Sequence, residues 1–256
     1  MNSVLTFATA LSLAALFPFC GGGLDRPSID EVSSESVTYQ TEDGVTISAG
    51  WFLPDGEAKP RVVILLHELD GSRAQWNELI PILRDKGYAV LAPDLRGHGD
   101  SGGELSNPLD ALRDVSAALT WLKSRSDVDR AYIGIIGAGL GGDLAYVSTG
   151  VFPEVDVAVA ITPKPYKPDD PLLTSISDFA AHDVFIMAGG ERQWEDAVSL
   201  GVKVQNPDGR RYIDHSELEG VALMTIDDPI KDILDWLKTR FDSPVPRVWP
   251  APTPSE

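Results

Sequence analysis

The chain has 256 residues, 43% of them hydrophobic, and its 39 acidic and 21 basic side chains give a formal net charge of −18. The apolar content is ordinary for a packed globular core. The negative charge repels phosphate backbones and anionic lipid headgroups, which argues against nucleic-acid binding. A single cysteine, Cys20, excludes an internal disulfide and a cysteine-based metal site. The four histidines form no HExxH or HxH motif, so we expect neither a metal nor another cofactor.

The first 20 residues predict export. The stretch from Val4 to Phe19 is uncharged and consists of apolar and small residues, which is typical of the hydrophobic part of a signal sequence. Cys20 follows directly and resembles the lipidation site of bacterial lipoproteins, although Phe19 stands where that motif has a small residue. We therefore expect a secreted protein, or one tethered to a membrane only through this segment, as a lipoprotein or by an uncleaved signal anchor.

The rest of the chain divides into a tether, one domain and a tail. Residues 21–36 are rich in glycine and then polar and acidic, which predicts a flexible tether. Residues 37–241 carry the strand-like and helix-like segments and form the predicted domain. Residues 242–256 are rich in proline, which cannot continue a helix, and predict an extended tail.

The domain opens with a predicted antiparallel hairpin, because strand-like residues 37–41 and 45–53 flank the turn Glu42-Asp43-Gly44. Apolar runs then predict strands, and apolar residues at helical spacing predict helices between them. The strands cover residues 62–67, 88–92, 132–137, 155–161, 184–188 and 210–214. The helices cover residues 74–86, 109–122, a stretch from about 140, and 230–241. Alternating strands and helices after a hairpin predict an α/β fold, with a mostly parallel sheet covered by helices on both faces.

Three segments, in this order, resemble the α/β-hydrolase superfamily. Leu65 to Trp76 (LLHELDGSRAQW) is similar to the loop after the third strand of that family, and Ala92 to Gly103 (APDLRGHGDSGG) to the loop after its fourth strand. Ile133 to Gly142 (IGIIGAGLGG) resembles the turn that carries the nucleophilic serine. The likeness spans residues 37–241 and is nearest to esterases, lipases and dienelactone-hydrolase-like enzymes.

The same resemblance implies that the catalytic triad is degenerate. When residues 137–141 are aligned on the G-x-S-x-G motif, Gly139 takes the place of the serine, and glycine has no side chain that can attack a carbonyl carbon. In the loop alignments, Arg192 takes the place of the acid and Glu219 that of the histidine. His215 lies four residues before Glu219, so a local shift could bring it to the site instead.

Further residues are expected around this turn. By position, the backbone N–H groups of Leu69 and Leu140 match the oxyanion hole of the family. Glu68 replaces the usual glycine before Leu69, so we expect it to line the pocket, to narrow that hole and to oppose a nearby anion. Other expected pocket residues are His67, more often structural than catalytic in the family, and Trp51, Trp194 and His215. Residues expected to hold the loop after the fourth strand together are Asp94, Arg96 and His98.

Three functions remain open at this point. The first, which the replacement of the serine favours, is a non-catalytic protein of the hydrolase fold that binds a small apolar ligand or a protein partner. The second is a hydrolase without the serine, in which His215, Glu219 or Glu191 activates water. The third is a structural module whose tails carry the role.

Overall fold

The computed structural model describes residues 23–31, 33–56, 58–163, 182–189, 211–214 and 218–243. Eight strands lie within these residues. They are β1 (Glu35–Gln40), β2 (Thr46–Phe52), β3 (Arg61–Leu66), β4 (Ala89–Pro93), β5 (Asp129–Ala138), β6 (Val155–Ile161), β7 (Val184–Gly189) and β8 (Arg211–Asp214).

These strands form one sheet in the order β1-β2-β4-β3-β5-β6-β7-β8. The first two pair antiparallel, and β2 is also antiparallel to β4. The remaining neighbours, from β4 to β8, pair parallel. The carboxyl ends of β3 to β8 therefore meet at one edge, where α/β sheets place their ligands.

The described part of the chain also contains four α-helices. They are α1 (Leu79–Asp85), α2 (Ala111–Lys123), α3 (Leu140–Val151) and α4 (Asp227–Asp242). Alternate residues of β3 belong to two separate apolar cores: Val62 and Ile64 pack with side chains of α2 and α3, whereas Val63 and Leu65 pack with side chains of α1 and α4. Helices thus cover both faces, and the predicted α/β fold is confirmed.

The predicted helix over residues 74–86 is wrong in one respect, because it is interrupted. Arg73–Trp76 forms a 3-10 helix, and α1 begins only at Leu79. Pro81 lies in the first turn of α1, where it has no N–H to donate and its ring would clash with the carbonyl of Asn77. A helix that ran on from Trp76 would need a hydrogen bond from the N–H of residue 81 to the carbonyl of Asn77, and Pro81 cannot donate it.

Part of the predicted tether lies against the domain. The N–H of Leu24 donates to Asp227 Oδ2 at 3.0 Å, and Arg26 pairs with Asp227 at 2.7 Å. A carboxylate at the start of a helix is favourably placed, so Asp227 suits both contacts. The predicted signal segment with Cys20, and the tail from residue 244, lie outside the described residues. Among the helices that the structure describes, none is both long and apolar enough to cross a membrane.

Candidate functional site

Strand β5 turns sharply into helix α3 at Gly139. Ala138 ends the strand, Leu140 begins the helix, and Gly139 between them has φ 53° and ψ −119°. Its N–H donates to the carbonyl of Ile161 at 3.0 Å, and its own carbonyl accepts from the N–H of Asp143 at 3.0 Å. This strand–turn–helix geometry is that of a nucleophile elbow.

The glycines on either side of this turn have no space for a side chain. A Cβ added to Gly137 would overlap the carbonyl oxygen of Gly141, and one added to Gly141 would overlap that of Leu66. A Cβ on Gly139, in contrast, would find its nearest neighbour, Glu68 Cγ, at an ordinary contact distance of 3.4 Å. The flanking glycines let β3, β5 and α3 approach closely, whereas Gly139 points into space that a side chain could occupy.

The side chain of Glu68 lies over this turn. Its Oε1 is 3.7 Å from the position of a Cβ on Gly139. The same oxygen would overlap a Cβ on Gly220, which has φ 57° and follows Glu219 directly. The carboxylate is therefore seated between two residues that lack side chains, one at the predicted place of the serine and one next to the predicted place of the histidine.

Hydrogen bonds hold both sides of this arrangement. Gln75 Oε1 accepts from the N–H of Glu68 at 3.1 Å, and Gln75 Nε2 donates to Glu68 Oε2 at 3.4 Å. On the other side, the N–H of Gly220 donates to Thr162 Oγ1 at 2.9 Å. Thr162 is buried and has φ 44°, a conformation that is costly for a threonine. Such strain persists only where the surroundings enforce it, which is typical of functional sites.

His67 lies fully buried beneath Glu68. Its Nε2 accepts from the N–H of Leu95 at 2.8 Å, so Nδ1 carries the proton and donates to the carbonyl of Glu68 at 2.7 Å. Burial lowers the pKa of His67 below its usual value. This histidine is a neutral link between the segment after β3 and the loop after β4.

The loop after β4 is held by buried charged groups. The carboxylate of Asp94 accepts from the N–H of Arg73 at 2.7 Å. Arg96 donates to Asp114 from both its Nε, at 2.9 Å, and its backbone N–H, at 2.8 Å. His98 Nδ1 lies 2.9 Å from the carbonyl of Arg96. These residues stabilise the loop and do not reach Gly139.

A cavity of about 410 Å³ opens above the turn. Apolar side chains of Leu69, Leu105 and Leu140 form part of its wall, and the remaining wall carries Gln75 and the carboxylates Glu68, Asp70 and Asp143. A larger cavity, of about 610 Å³, lies between Arg61 at the start of β3 and Asp242 at the end of α4. That position is at the opposite edge of the sheet and includes none of the predicted site residues, so we take the smaller cavity as the candidate site.

The structure brings some of the predicted site residues together at this cavity. Gly139, Glu68, Leu69 and Leu140 all line it. Glu219 is exposed and precedes the 3-10 helix Gly220–Thr225, outside the lining of the cavity. Four residues that were expected at or near the site, Arg192, Trp194, His215 and Glu191, lie outside the described residues.

Two positions differ from the expectation. Trp51 was expected to line a pocket, but it is only 1% exposed and packs edge-on against Trp121, with ring centroids 5.2 Å apart. His67 is buried below the cavity and is not part of its lining. Both side chains point away from the site because they lie on strand β2 and directly after β3, where alternate residues face opposite sides of the sheet.

Sequence reasoning missed Gln75 and Asp143. Asp143 lies four residues after Gly139, one helical turn on, so the spacing itself could have placed it on the same face of α3 as the turn. Gln75 lies within the quoted segment after β3, but only the structure shows that its amide bonds to Glu68. Among the described residues, no three His, Cys, Asp or Glu side chains lie close enough to hold a metal ion.

Comparison with known proteins relates this geometry to a family. Residues 47–198 match the model of the dienelactone hydrolase family. An uncharacterized protein of Mycobacterium tuberculosis (strain CDC 1551) is 30% identical over 146 residues, which cover 56% of this chain and 51% of that protein. A second uncharacterized protein of the same species (strain H37Rv) is 34% identical over 123 residues, or 46% of this chain and 43% of that protein. The chain thus spans about half the length of these curated relatives.

Solved structures agree on the fold. An esterase of Pyrococcus furiosus superposes with a TM-score of 0.68 at 21% identity, covering 85% of this chain and 98% of that one. A predicted CIB-like hydrolase of Thermoplasma acidophilum superposes with a TM-score of 0.63 at 16% identity, covering 81% of this chain and 99% of that one. At these identities the likeness concerns the fold alone. Since the family model matches more than half of the chain, the protein belongs to the dienelactone hydrolase family, within the α/β-hydrolase superfamily.

Proposed function

We propose that this protein is a non-catalytic member of its family that binds a small ligand in the cavity above Gly139. The observation that carries the proposal is the turn between β5 and α3. Its backbone has the conformation that presents a nucleophile, but residue 139 has no side chain. Acyl transfer by the serine route requires an attacking oxygen, and without it only binding and electrostatic stabilisation remain, worth roughly a thousandfold over water.

Glu68 also opposes the electrostatic stabilisation that would remain without the serine. An acyl-transfer transition state places an anionic oxygen beside backbone N–H groups, here those predicted at Leu69 and Leu140. Glu68 Oε1 lies 3.7 Å from the position of a Cβ on Gly139, so its charge is next to the place where that oxyanion would form. Like charges repel strongly in a partly enclosed site. The position of Glu68 therefore favours a site that binds but does not stabilise an oxyanion.

The cavity itself supports ligand binding. Its volume of about 410 Å³ falls within the usual range for small-molecule sites, roughly 300 to 1,000 Å³. It combines apolar walls with a few polar groups, as such sites generally do. A concave site of this size suits a small molecule better than a protein surface.

A second candidate function is hydrolysis without the serine. It is favoured by one observation, the half-buried carboxylate of Glu68 at the floor of a cavity that has room for water. A carboxylate in that position can act as a general base toward a water molecule. Glu219, the base considered from the sequence, is exposed and lies outside the cavity lining.

Two assays on the full chain separate these functions. We expect no covalent labelling by a fluorophosphonate probe, measured by intact mass, and no turnover of p-nitrophenyl acetate above a boiled sample. A covalent adduct on the wild-type chain would overturn the proposal. Turnover that survives repurification but is lost in Glu68→Gln would instead establish the second function. Glu78→Gln is the matched control, because Glu78 is exposed and does not line the cavity.

A further inference from the structure

We infer that the cavity above Gly139 selects ligands that carry a cationic group, such as a primary ammonium, on an apolar body. This inference rests on the ligand-binding function proposed above, and it adds the chemical class of the ligand. It depends on how one carboxylate is seated at the floor of the cavity, on the composition of the walls, and on the charge of the whole chain.

The carboxylate of Glu68 is held in place before any ligand arrives. Gln75 contacts its backbone N–H at 3.1 Å and its Oε2 at 3.4 Å. Its Oε1 faces Gly139 and Gly220, neither of which has a side chain, and no described residue donates a hydrogen bond to this oxygen. A fixed acceptor with free hydrogen-bonding capacity favours a charged donor, because hydrogen bonds between ionised groups are about twice as strong as neutral ones.

Within the described part of the chain, the rest of the cavity lining adds negative charge and no positive side chain. Asp70 also lines the cavity, and none of its lining residues is lysine or arginine among the residues that the structure describes. The amino terminus of α3 offsets only about half a unit charge. The net charge of −18 extends the same field over the molecule and attracts cations toward it. An anionic ligand would be repelled by the carboxylates of Glu68 and Asp70 and by the net charge of the chain, and the amino terminus of α3 would compensate only part of this repulsion.

The leucine side chains of the cavity wall favour a ligand with an apolar body. Leu105 and Leu140 line the cavity, and Leu69, at 40% exposure, leaves an apolar surface open to solvent. Burying apolar surface of this kind against a ligand is favourable in proportion to the area removed from water. A small inorganic cation would leave these side chains uncovered, so the walls favour an organic cation.

Three probes that share one body test the charge: 4-phenylbutylamine, 4-phenylbutanol and 4-phenylbutyrate, each titrated into the full chain at pH 7 by calorimetry. We expect the ammonium to bind at least about tenfold more tightly than the alcohol, and the carboxylate to bind most weakly. Glu68→Gln should weaken the ammonium about tenfold and leave the alcohol unchanged. Glu78→Gln should change neither, and thermal melting should show that both variants are folded.

The remaining outcomes each count against the inference. Equal binding of the three probes, abolished when Leu105→Trp fills the cavity, would overturn the charge class while leaving the ligand-binding function intact. Tighter binding of the carboxylate would overturn it in the same way. A preference for the ammonium that Glu68→Gln leaves unaltered would remove Glu68 from the role. If no probe binds at millimolar concentration, the predicted ligand class is wrong. The fluorophosphonate assay still tests separately whether the chain lacks a nucleophile.

Discussion

The loop after β4 and the turn at Gly139 lie on either side of β3, yet they differ in what they have kept. In the loop, the charged side chains are paired: the guanidinium of Arg73 pairs with Asp94 at 3.0 Å, and that of Arg96 with Asp114 at 2.9 Å. In the turn, the backbone conformation is kept, but the residue at its tip has no side chain, and Glu68 lies over it. Folding depends on the first kind of feature, whereas acyl transfer depends on the second. The comparison indicates that this chain retains what the fold requires.

The largest expected effect is in the loop. In Asp114→Ala, the buried Arg96 loses a buried carboxylate and keeps only the partly exposed Asp43 as an ionic partner. Breaking a buried ion pair costs about 3 to 5 kcal/mol, and because Asp43 still pairs with Arg96 we expect the lower figure, about 3 kcal/mol. We expect the free energy of unfolding, measured by urea denaturation, to fall by that amount.

Asp110→Ala is the control for this loss, because it removes another aspartate that pairs with an arginine of α2. The pair of Asp110 and Arg113 is partly exposed, so we expect a loss of about 1 kcal/mol or less. Equal losses in the two variants would show that the buried pair is no more important than an exposed one. The contrast between the two regions would then fail.

The next effect is in the scaffold of the turn. Gly141→Ala introduces a Cβ that would overlap the carbonyl oxygen of Leu66 and lie 2.8 Å from that of His67. Neither backbone group can move freely, so we expect a loss of about 3 kcal/mol, the upper part of the range for overpacking. Gly102→Ala, in the other region, is the control. Its Cβ would meet only the backbone of Thr46 at ordinary contact distances, with the O at 3.6 Å and the N at 3.9 Å, and we expect a change within about 0.5 kcal/mol in the same urea measurement.

A smaller effect is expected at the tip of the turn. Gly139→Ser has space for its side chain, but its φ of 53° costs a residue other than glycine roughly 1 to 3 kcal/mol. The variant should fold, with a lower melting temperature in calorimetry. Gly139→Ala separates backbone strain from contact between the new side chain and Glu68. An equal decrease in melting temperature for the two variants identifies backbone strain, and a difference between them reports the interaction of the serine with Glu68. A melting temperature that is unchanged or higher would contradict the strain argument.

The fold could be predicted from the sequence because it depends on the periodicity of apolar residues and on the order of strands and helices along the chain. Buried strands such as residues 155–161 are continuous apolar runs, and the structure gives β6 the same bounds. The break before Leu79 follows from Pro81, a local signal that the helical spacing around it concealed. Trp51 was placed at a pocket because sequence spacing does not show which face of the sheet a residue occupies.

The candidate site was less predictable, and the reason is physical. Gly139 could be located because Gly137 and Gly141 on either side of it must be glycine, since the backbone leaves no space for a Cβ at either position. Two glycines at this spacing are recognisable in the sequence. The position of Glu68 over that turn depends on Gln75 and Gly220, which lie 7 and 152 residues away in the chain. No local pattern links such residues, so only the folded arrangement shows that they act together.

The smallest expected effect tests the link between the two regions. His67 donates to the carbonyl of Glu68 and accepts from the N–H of Leu95, so it joins the turn to the loop only while it is neutral. Burial lowers its pKa below the usual value near 6.5, and the unfolded chain therefore takes up this proton first as the pH falls. The contribution of His67 to the free energy of unfolding is therefore fully present above about pH 6.5. Below that pH it decreases by at most about 1.4 kcal/mol per pH unit, until the histidine of the folded chain is protonated as well. Urea denaturation at pH 8 and pH 5.5 should show a greater loss for the wild-type chain than for His67→Gln, which has no such proton. The same loss in both would mean that carboxylates alone set the acid response and that the histidine joins the two regions without making their union sensitive to pH.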